Sequence, residues 1–209
     1  MSIPSCIHIV IVNYNAGSRL RDCVVSALQS DCEVRVWVSD NGSDDDSLAL
    51  LRQATLNEAR LNIVENHANL GFAKGNNRIL PLLPESEFIL FLNPDCLLRP
   101  DTISRMCSAM NEHPQAGMAS CLIVNPDGSE QRGCRRTLPT PWQSLVQVLQ
   151  LQRLFPASSL FRSFNLTDTP LPDKLTPVEA TSGAFMLVRS SALERVGPLD
   201  EGYFLHCEG

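Results

Sequence analysis

The feature that most constrains the fold is a repeated pairing of short β-branched runs with amphipathic segments. Ile7-His8-Ile9-Val10-Ile11-Val12 is nearly continuous in β-branched residues, which suits a central strand buried on both faces. It ends at Asn13-Tyr14-Asn15, after which Leu20, Cys23, Val24, Ala27 and Leu28 recur at helical spacing. Val34 to Val38 repeats the strand signal, Leu61 to Val64 and Phe88 to Leu92 add a third and a fourth, and Ala116 to Ile123 a fifth. Helical stretches separate most of these runs, so the pattern predicts an α/β chain with an open, mostly parallel sheet and right-handed crossovers. Ligands of such sheets bind beyond the carboxyl ends of the strands. Those ends carry Asn13-Tyr14-Asn15, Asp40-Asn41, Asn66 to Asn69 and Asn93-Pro94-Asp95, a rim of short polar side chains.

The chain's 209 residues suffice for one well-buried core, and a single domain over 1–209 is expected. The texture changes after the turn signal Asn125-Pro126-Asp127-Gly128. Gln143 to Phe155 reads as an apolar helix, and 156–177, rich in Pro, Ser, Thr and Leu, as a flexible excursion. Val178 to Val188 returns to strand character, and a short helix is expected from Ser190 or Ser191.

With 44% hydrophobic and 19% charged residues the composition is that of a globular protein. The formal net charge of −6 argues against a nucleic-acid partner. The densest basic cluster, Arg132, Arg135 and Arg136, reads either as a solvated loop or as a contact for a diphosphate or an anionic acceptor. The eight cysteines form no C-x-x-C pair and read as small buried hydrophobes in a reducing compartment. Met1-Ser-Ile-Pro-Ser-Cys6 lacks the basic n-region and small-residue cleavage site of a signal peptide, so none is expected, and no apolar stretch reaches the about 18 residues of a spanning helix. A cytoplasmic location is expected, with peripheral association at the inner face of the cytoplasmic membrane left open.

Two stretches carry candidate chemistry. In Asn93-Pro94-Asp95 a carboxylate stands where an apolar strand ends; it is either a turn residue or a hard oxygen ligand for a divalent cation whose shell substrate phosphates and water complete. Asn69-Leu70-Gly71-Phe72-Ala73-Lys74-Gly75-Asn76-Asn77 offers glycines for close backbone approach and amides that both donate and accept, or simply a helix start. It lacks the order of a P-loop, and no G-x-G-x-x-G follows the first strand, which weakens a dehydrogenase reading. Ser43, three residues before Asp46, resembles a capping box that would account for Asp44 to Asp46. Asp40, at a strand's carboxyl end, has no such account.

Taken in order, Val12-Asn13-Tyr14-Asn15, Val38 to Ser43, Asn69 to Asn76, Leu92 to Asp95, Ser182-Gly183-Ala184-Phe185 and Asp200 to Phe204 resemble the family-2 glycosyltransferases of GT-A (Rossmann-like) fold. The rhamnosyltransferase-like branch that builds surface polysaccharides is the nearest resemblance. It implies an inverting enzyme that transfers a hexose or deoxyhexose, rhamnose included, from a UDP- or dTDP-sugar to a saccharide or lipid-linked acceptor. Val12, Asn13 and Tyr14 would line the nucleoside pocket, Asp40 would hydrogen-bond the pyrimidine ring, and Asn69, Gly75 and Asn76 would flank the nucleotide. Asp95 would bind Mg²⁺ or Mn²⁺ as the last acid of the family's D-x-D motif, and Asn93, in place of the first acid, would be a further nucleotide-binding residue. Gly183 would leave room for sugar or acceptor, while Asp200 and Glu201 would shape the acceptor side.

The sequence departs from that pattern where relatives read Glu-Asp and use the Asp as base, since here it reads Glu208-Gly209. The downstream acceptor-side elements are also expected to be missing. Glu208 is then the candidate base, and the alternative is a catalytically impaired nucleotide-sugar-binding remnant or regulatory protein.

Overall fold

The computed structural model describes residues 6–138, 140–149 and 166–203, without the side chains of Gln143, Ser144, Gln147 and Asp168. Tertiary contacts divide the chain into two compact units, one formed by 1–120 with 183–209 and the other by 121–182.

The first unit is built on a six-stranded sheet. Its elements are β1 (Ile7–Asn13), α1 (Ser18–Leu28), β2 (Val34–Asp40), α2 (Ser47–Ala54), β3 (Leu61–Glu65), α3 (Phe72–Asn77), β4 (Phe88–Leu92), α4 (Thr102–Glu112) and β5 (Met118–Ala119). The second unit contributes β6 (Arg135–Arg136), α5 (Pro141–Val148) and β7 (Ala180–Thr181) before the chain returns with β8 (Phe185–Arg189) and α6 (Ser190–Val196). The sheet order is β3-β2-β1-β4-β8-β5. β1, β2, β3 and β4 are mutually parallel, while β8 runs antiparallel to both β4 and β5. The expected mostly parallel sheet is therefore present.

The strand patterns explain the layering. β1 and β4 are central, and Ile7, Ile9, Val10, Ile11, Phe88, Leu90 and Phe91 are all fully buried. Both faces are covered, so the apolar run is continuous rather than alternating. In α1 the stripe Leu20, Cys23, Val24 and Ala27 is buried, as its spacing predicts. A fully buried Leu or Val contributes roughly 1.5–3 kcal/mol relative to exposure, enough to hold a helix that has no side-chain N-cap. At the other end Arg60 Nη1 donates to the Leu28 carbonyl at 3.1 Å.

Three expectations are corrected. The fifth strand is only Met118–Ala119, because it is an edge strand paired on one side with β8. The run Val178 to Val188 is not one strand: Ala180–Thr181 pairs with Arg135–Arg136, and Phe185–Arg189 joins the large sheet. Nor is there a capping box before α2, which starts at Ser47 without a side-chain cap on Asp46. The Ser43 hydroxyl instead donates to Asp40 Oδ1 at 2.7 Å, a nearby ionised acceptor being the stronger partner.

In the second unit Arg135 clamps the chain. Its guanidinium bonds both carboxylate oxygens of Glu130 at 2.8 Å and donates to the carbonyls of Leu166 at 3.1 Å and Thr169 at 3.0 Å. Of the apolar helix expected over 143–155, the described part is Pro141–Val148. The excursion expected at 156–177 falls outside the described residues up to 165, and from 166 it opens with a 3₁₀ turn at Leu166–Asp168. None of the seven described cysteines is in a disulfide, and burial pushes the thiols of Cys23, Cys107 and Cys121 up. Among the described residues no helix is long and apolar enough to cross a membrane.

Candidate active site at the β1 and β4 carboxyl ends

The strand order sets where a ligand can sit. Successive crossovers carry the chain outward from β1 through β2 to β3, and the next returns it past β1 to β4. The reversal opens a crevice beyond the carboxyl ends of β1 and β4. β8 runs the other way, so its amino end meets the same rim: Leu92 pairs with Phe185, and Asn93 N donates to the Ala184 carbonyl at 2.9 Å. Gly183 stands just before this point, and among the described residues, its chain neighbours aside, nothing lies within 4 Å of the place a β-carbon would occupy.

The rim of β1, β2 and β3 is a buried polar network. Asn13 is fully buried, and its Nδ2 lies 2.7 Å from Asp40 Oδ1 and 2.9 Å from the hydroxyls of Ser43 and Ser47. The Asp40 carboxylate, 2% exposed, also accepts from the Gly42 and Ser43 amides at 3.2 and 3.1 Å. A carboxylate so fully engaged shapes its own loop. Asn41 extends the network, donating to the Gly71 carbonyl at 3.0 Å and accepting from Asn66 Nδ2 at 3.0 Å. Gly42 takes a positive φ of 73°, and a β-carbon there would lie 2.8 Å from the Ala68 amide nitrogen.

The loops after β1 and β2 are stitched together. The Asn15 amide donates to Ser43 Oγ at 3.0 Å, and the Asp44 amide to Asn15 Oδ1 at 3.0 Å. Asp45 Oδ2 accepts from the Gly17 amide at 2.8 Å. Partial burial raises the Asp45 carboxyl, but the bonds from Ser47 and Gly17 outweigh it and hold the group below its ordinary value. Tyr14 is left 51% exposed on this rim.

The glycine-rich stretch forms α3 and packs inward. Gly75 faces Val12, whose two methyl groups would lie 3.0 and 3.1 Å from a β-carbon. Asn76 is 1% exposed, and its Nδ2 donates to the Phe72 carbonyl of its own helix at 3.0 Å. Val12, Asn13, Asp40, Gly75 and Asn76 thus form the inner frame, while Tyr14 and Asn69 face solvent. Asn77 closes the far end: its amide holds Leu199 and donates to Glu201 Oε1 at 3.1 Å. Asp200 and Glu201 are exposed, and Glu208 and Gly209 lie outside the described residues.

After β4, Cys23 Sγ donates to the Asn93 carbonyl at 3.4 Å, and the Leu98 amide donates to Ser26 Oγ at 3.1 Å. The segment 93–98 is thereby laid along α1. An open cavity of about 290 Å³ results, lined by Arg19, Asp22, Asp95 and Leu97. Asp95 is exposed there, and its carboxylate makes no hydrogen bond or ion pair among the described residues. Those residues hold no group of three or more metal-ligating side chains. The donor set is one free carboxylate, which fits a hard divalent cation that keeps phosphate oxygens and water, and does not fit an all-protein cage.

A family profile described as Glycosyl transferase family 2 matches residues 8–197. The chain belongs to that family. An N-acetylglucosaminyl-diphospho-decaprenol L-rhamnosyltransferase of Mycobacterium tuberculosis is 28% identical over 211 residues, covering 96% of this chain and 66% of that protein. Rhamnosyltransferase WbbL of Escherichia coli is 26% identical over 212 residues, covering 97% of this chain and 73% of that one. The chain thus spans about two thirds of the length of these relatives. Among solved structures, mannosyltransferase PcManGT from Pyrobaculum calidifontis, in complex with GDP-Man and Mn²⁺, superposes with a TM-score of 0.63 at 17% identity over 95% of this chain and 48% of that one. The GT-A glycosyltransferase fold expected from the sequence is therefore present.

Four residues at or beside the candidate site, Arg19, Asp22, Asn41 and Asn77, had no role assigned from the sequence. Asn41 was legible as part of the polar rim and Asn77 as part of the glycine-rich stretch, though neither had an assigned partner. Arg19 and Asp22 lie off the apolar stripe of α1, where nothing separates them from solvated charges until α1 and the β4 exit are placed side by side.

Proposed function

We propose that this chain is the donor-binding part of an inverting glycosyltransferase that moves a hexose or deoxyhexose from a UDP- or dTDP-sugar to a saccharide or lipid-linked acceptor. Asp95 carries the reading: a free carboxylate at the switch-point crevice of a family-2 domain. The M. tuberculosis relative is named for L-rhamnosyl transfer to a diphospho-decaprenol-linked sugar, which supports rhamnose and a lipid-linked acceptor.

In this reading Tyr14 and Asn69 contact the nucleoside from the exposed side of the frame. Val12, Asn13, Gly75 and Asn76 hold that frame rigid, and Asp40 either presents its loop's amides or turns to the pyrimidine. Asn93 sets the exit of β4 through its backbone, and Asp95 would hold Mg²⁺ or Mn²⁺. When bound, such a cation would offset the negative charge that builds on the departing phosphate. On the opposite face a carboxylate takes the acceptor hydroxyl's proton, and in-line attack inverts the anomeric carbon. Glu208 is the candidate for that base, with Gly183 leaving space for the sugar and Asp200 and Glu201 lining the acceptor side. The exposed cation Arg19, which lines the cavity with Asp95, favours an anionic ligand there. Arg135, engaged with Glu130, serves its own unit.

The test is calorimetric titration of UDP and dTDP, each with and without Mn²⁺, into the chain and into Asp95→Ala. Metal-dependent binding that the variant loses is the expected result. Absence of nucleotide binding, or binding indifferent to both Mn²⁺ and Asp95, overturns the proposal.

A further inference from the structure

The cavity beside Asp95 is lined by a side-chain cation that has no partner among the described residues. Arg19, on the first turn of α1, lines the same cavity as Asp22 and Asp95, yet it makes no ion pair or side-chain hydrogen bond among the described residues. Asp22 already has a partner, since Arg21 donates to its Oδ1 at 2.8 Å. Asp95 has none. The arrangement therefore leaves one guanidinium and one carboxylate unengaged around a space of about 290 Å³.

From this we infer that Arg19 is a donor-binding residue that contacts the terminal phosphate of a nucleoside diphosphate, with Asp95 holding the cation on the same group. The inference rests on the reading given under Proposed function. The charge count favours it. A divalent cation offsets the two negative charges of a sugar-linked diphosphate, but Asp95 adds one back and departure of the sugar adds another. A site with a second acid in place of Asn93 would hold the metal more firmly; this one has a single free carboxylate and a nearby guanidinium. Arginine presents several donors in a fork that matches phosphate oxygens, and it stays charged at any working pH. Partnered to neither neighbouring acid, Arg19 gives up no internal bond when it turns to a ligand.

The measurement is calorimetric affinity for the uridine or thymidine nucleotide that the chain binds more tightly, as monophosphate and as diphosphate, in the presence of Mn²⁺. It is made on the unmodified chain, Arg19→Gln, Arg19→Lys and Asp95→Ala. Arg19→Gln is expected to weaken the diphosphate roughly tenfold, the size of one charge-assisted hydrogen bond, and the monophosphate less than about twofold. Arg19→Lys should recover part of the loss. Equal weakening of both nucleotides, or none in Arg19→Gln, overturns the inference. If Asp95→Ala alone loses binding, the inference falls and the donor-site reading stands; if the unmodified chain binds neither nucleotide, both fall.

Discussion

Asn77 holds Leu199 by both of its backbone polar groups, Nδ2 donating to the carbonyl at 2.8 Å and Oδ1 accepting from the amide at 3.0 Å, across 122 residues of sequence. With the third bond to Glu201 Oε1 at 3.1 Å, one side chain at the end of α3 fixes the segment that carries the candidate acceptor-side acids. Removing it leaves two backbone groups of Leu199 without protein partners. Asn77→Ala is expected to cost about 1–2 kcal/mol in urea denaturation and to speed amide exchange at Leu199. Asn77→Asp should do no better, because its carboxylate would face Glu201; full retention of stability in either variant would show that the clamp holds nothing.

Gly75 gives a prediction that changes sign with its neighbour. A β-carbon there meets both Val12 methyl groups, at 3.0 and 3.1 Å, and Asn41 Nδ2 at 3.3 Å. Overpacking of about 1–3 kcal/mol opposes a helix-propensity gain of about 1 kcal/mol, so Gly75→Ala should be destabilising. In a Val12→Ala background the space opens and the same substitution should stabilise. A double-mutant cycle by chemical denaturation measures this, and additive effects would refute the contact.

Asp40 accepts four hydrogen bonds, from Asn13, Ser43 and Gly42, while 2% exposed. Asp40→Asn replaces one acceptor oxygen by a donor that faces other donors. It should cost about 2 kcal/mol or more and loosen the loop 41–45. Hydrogen exchange at the Gly42 and Ser43 amides reports this directly. Unchanged exchange would mean that the loop holds itself.

His8 sets a pH dependence. It is 1% exposed on β1, and Nδ1 accepts from Trp37 Nε1 at 3.3 Å, so the neutral ring is the form that fits. Burial, with Arg35 adding to it, lowers its pKa below 6.5. A histidine with a depressed folded pKa binds its proton more readily in the unfolded chain, so its stabilising effect is present above about pH 6.5 and fades as pH falls below that value. The urea midpoint should decline from pH 7 to pH 5, and less steeply in His8→Gln. Parallel pH profiles for the two proteins would contradict the assignment.

In the second unit, Glu130 and Arg135 are 9% and 14% exposed at their side chains. The guanidinium holds the Glu130 carboxyl below its ordinary value against the opposing effect of burial. Removing one partner of so buried a pair costs about 3 kcal/mol, so Glu130→Gln should open the region to limited proteolysis near Arg135. Proteolysis as slow as in the unmodified chain would show that the pair is dispensable.

The amino-acid sequence alone determined the central strands, the stripe of α1 and the polar rim. These are local or periodic properties: a β-branched run buried on both faces, a spacing of three and four, and short polar side chains where a strand must end. It also carried the glycosyltransferase resemblance, through motifs whose order survives in the linear chain. Strand pairing was less legible. Val178 to Val188 reads as one run, yet its two halves find different partners, and Ala116 to Ile123 keeps only two residues of strand because one-sided pairing at an edge gives little to hold more. The division of the site into frame and face was decided by the tertiary structure. Asn76 and Asn69 are the same residue type in one stretch of sequence, and only packing buries the first and leaves the second in solvent. Arg19, an ordinary charge on a helix face in the sequence, gains its significance from the β4 exit laid along α1, since a cavity is a relation between segments that no single segment encodes.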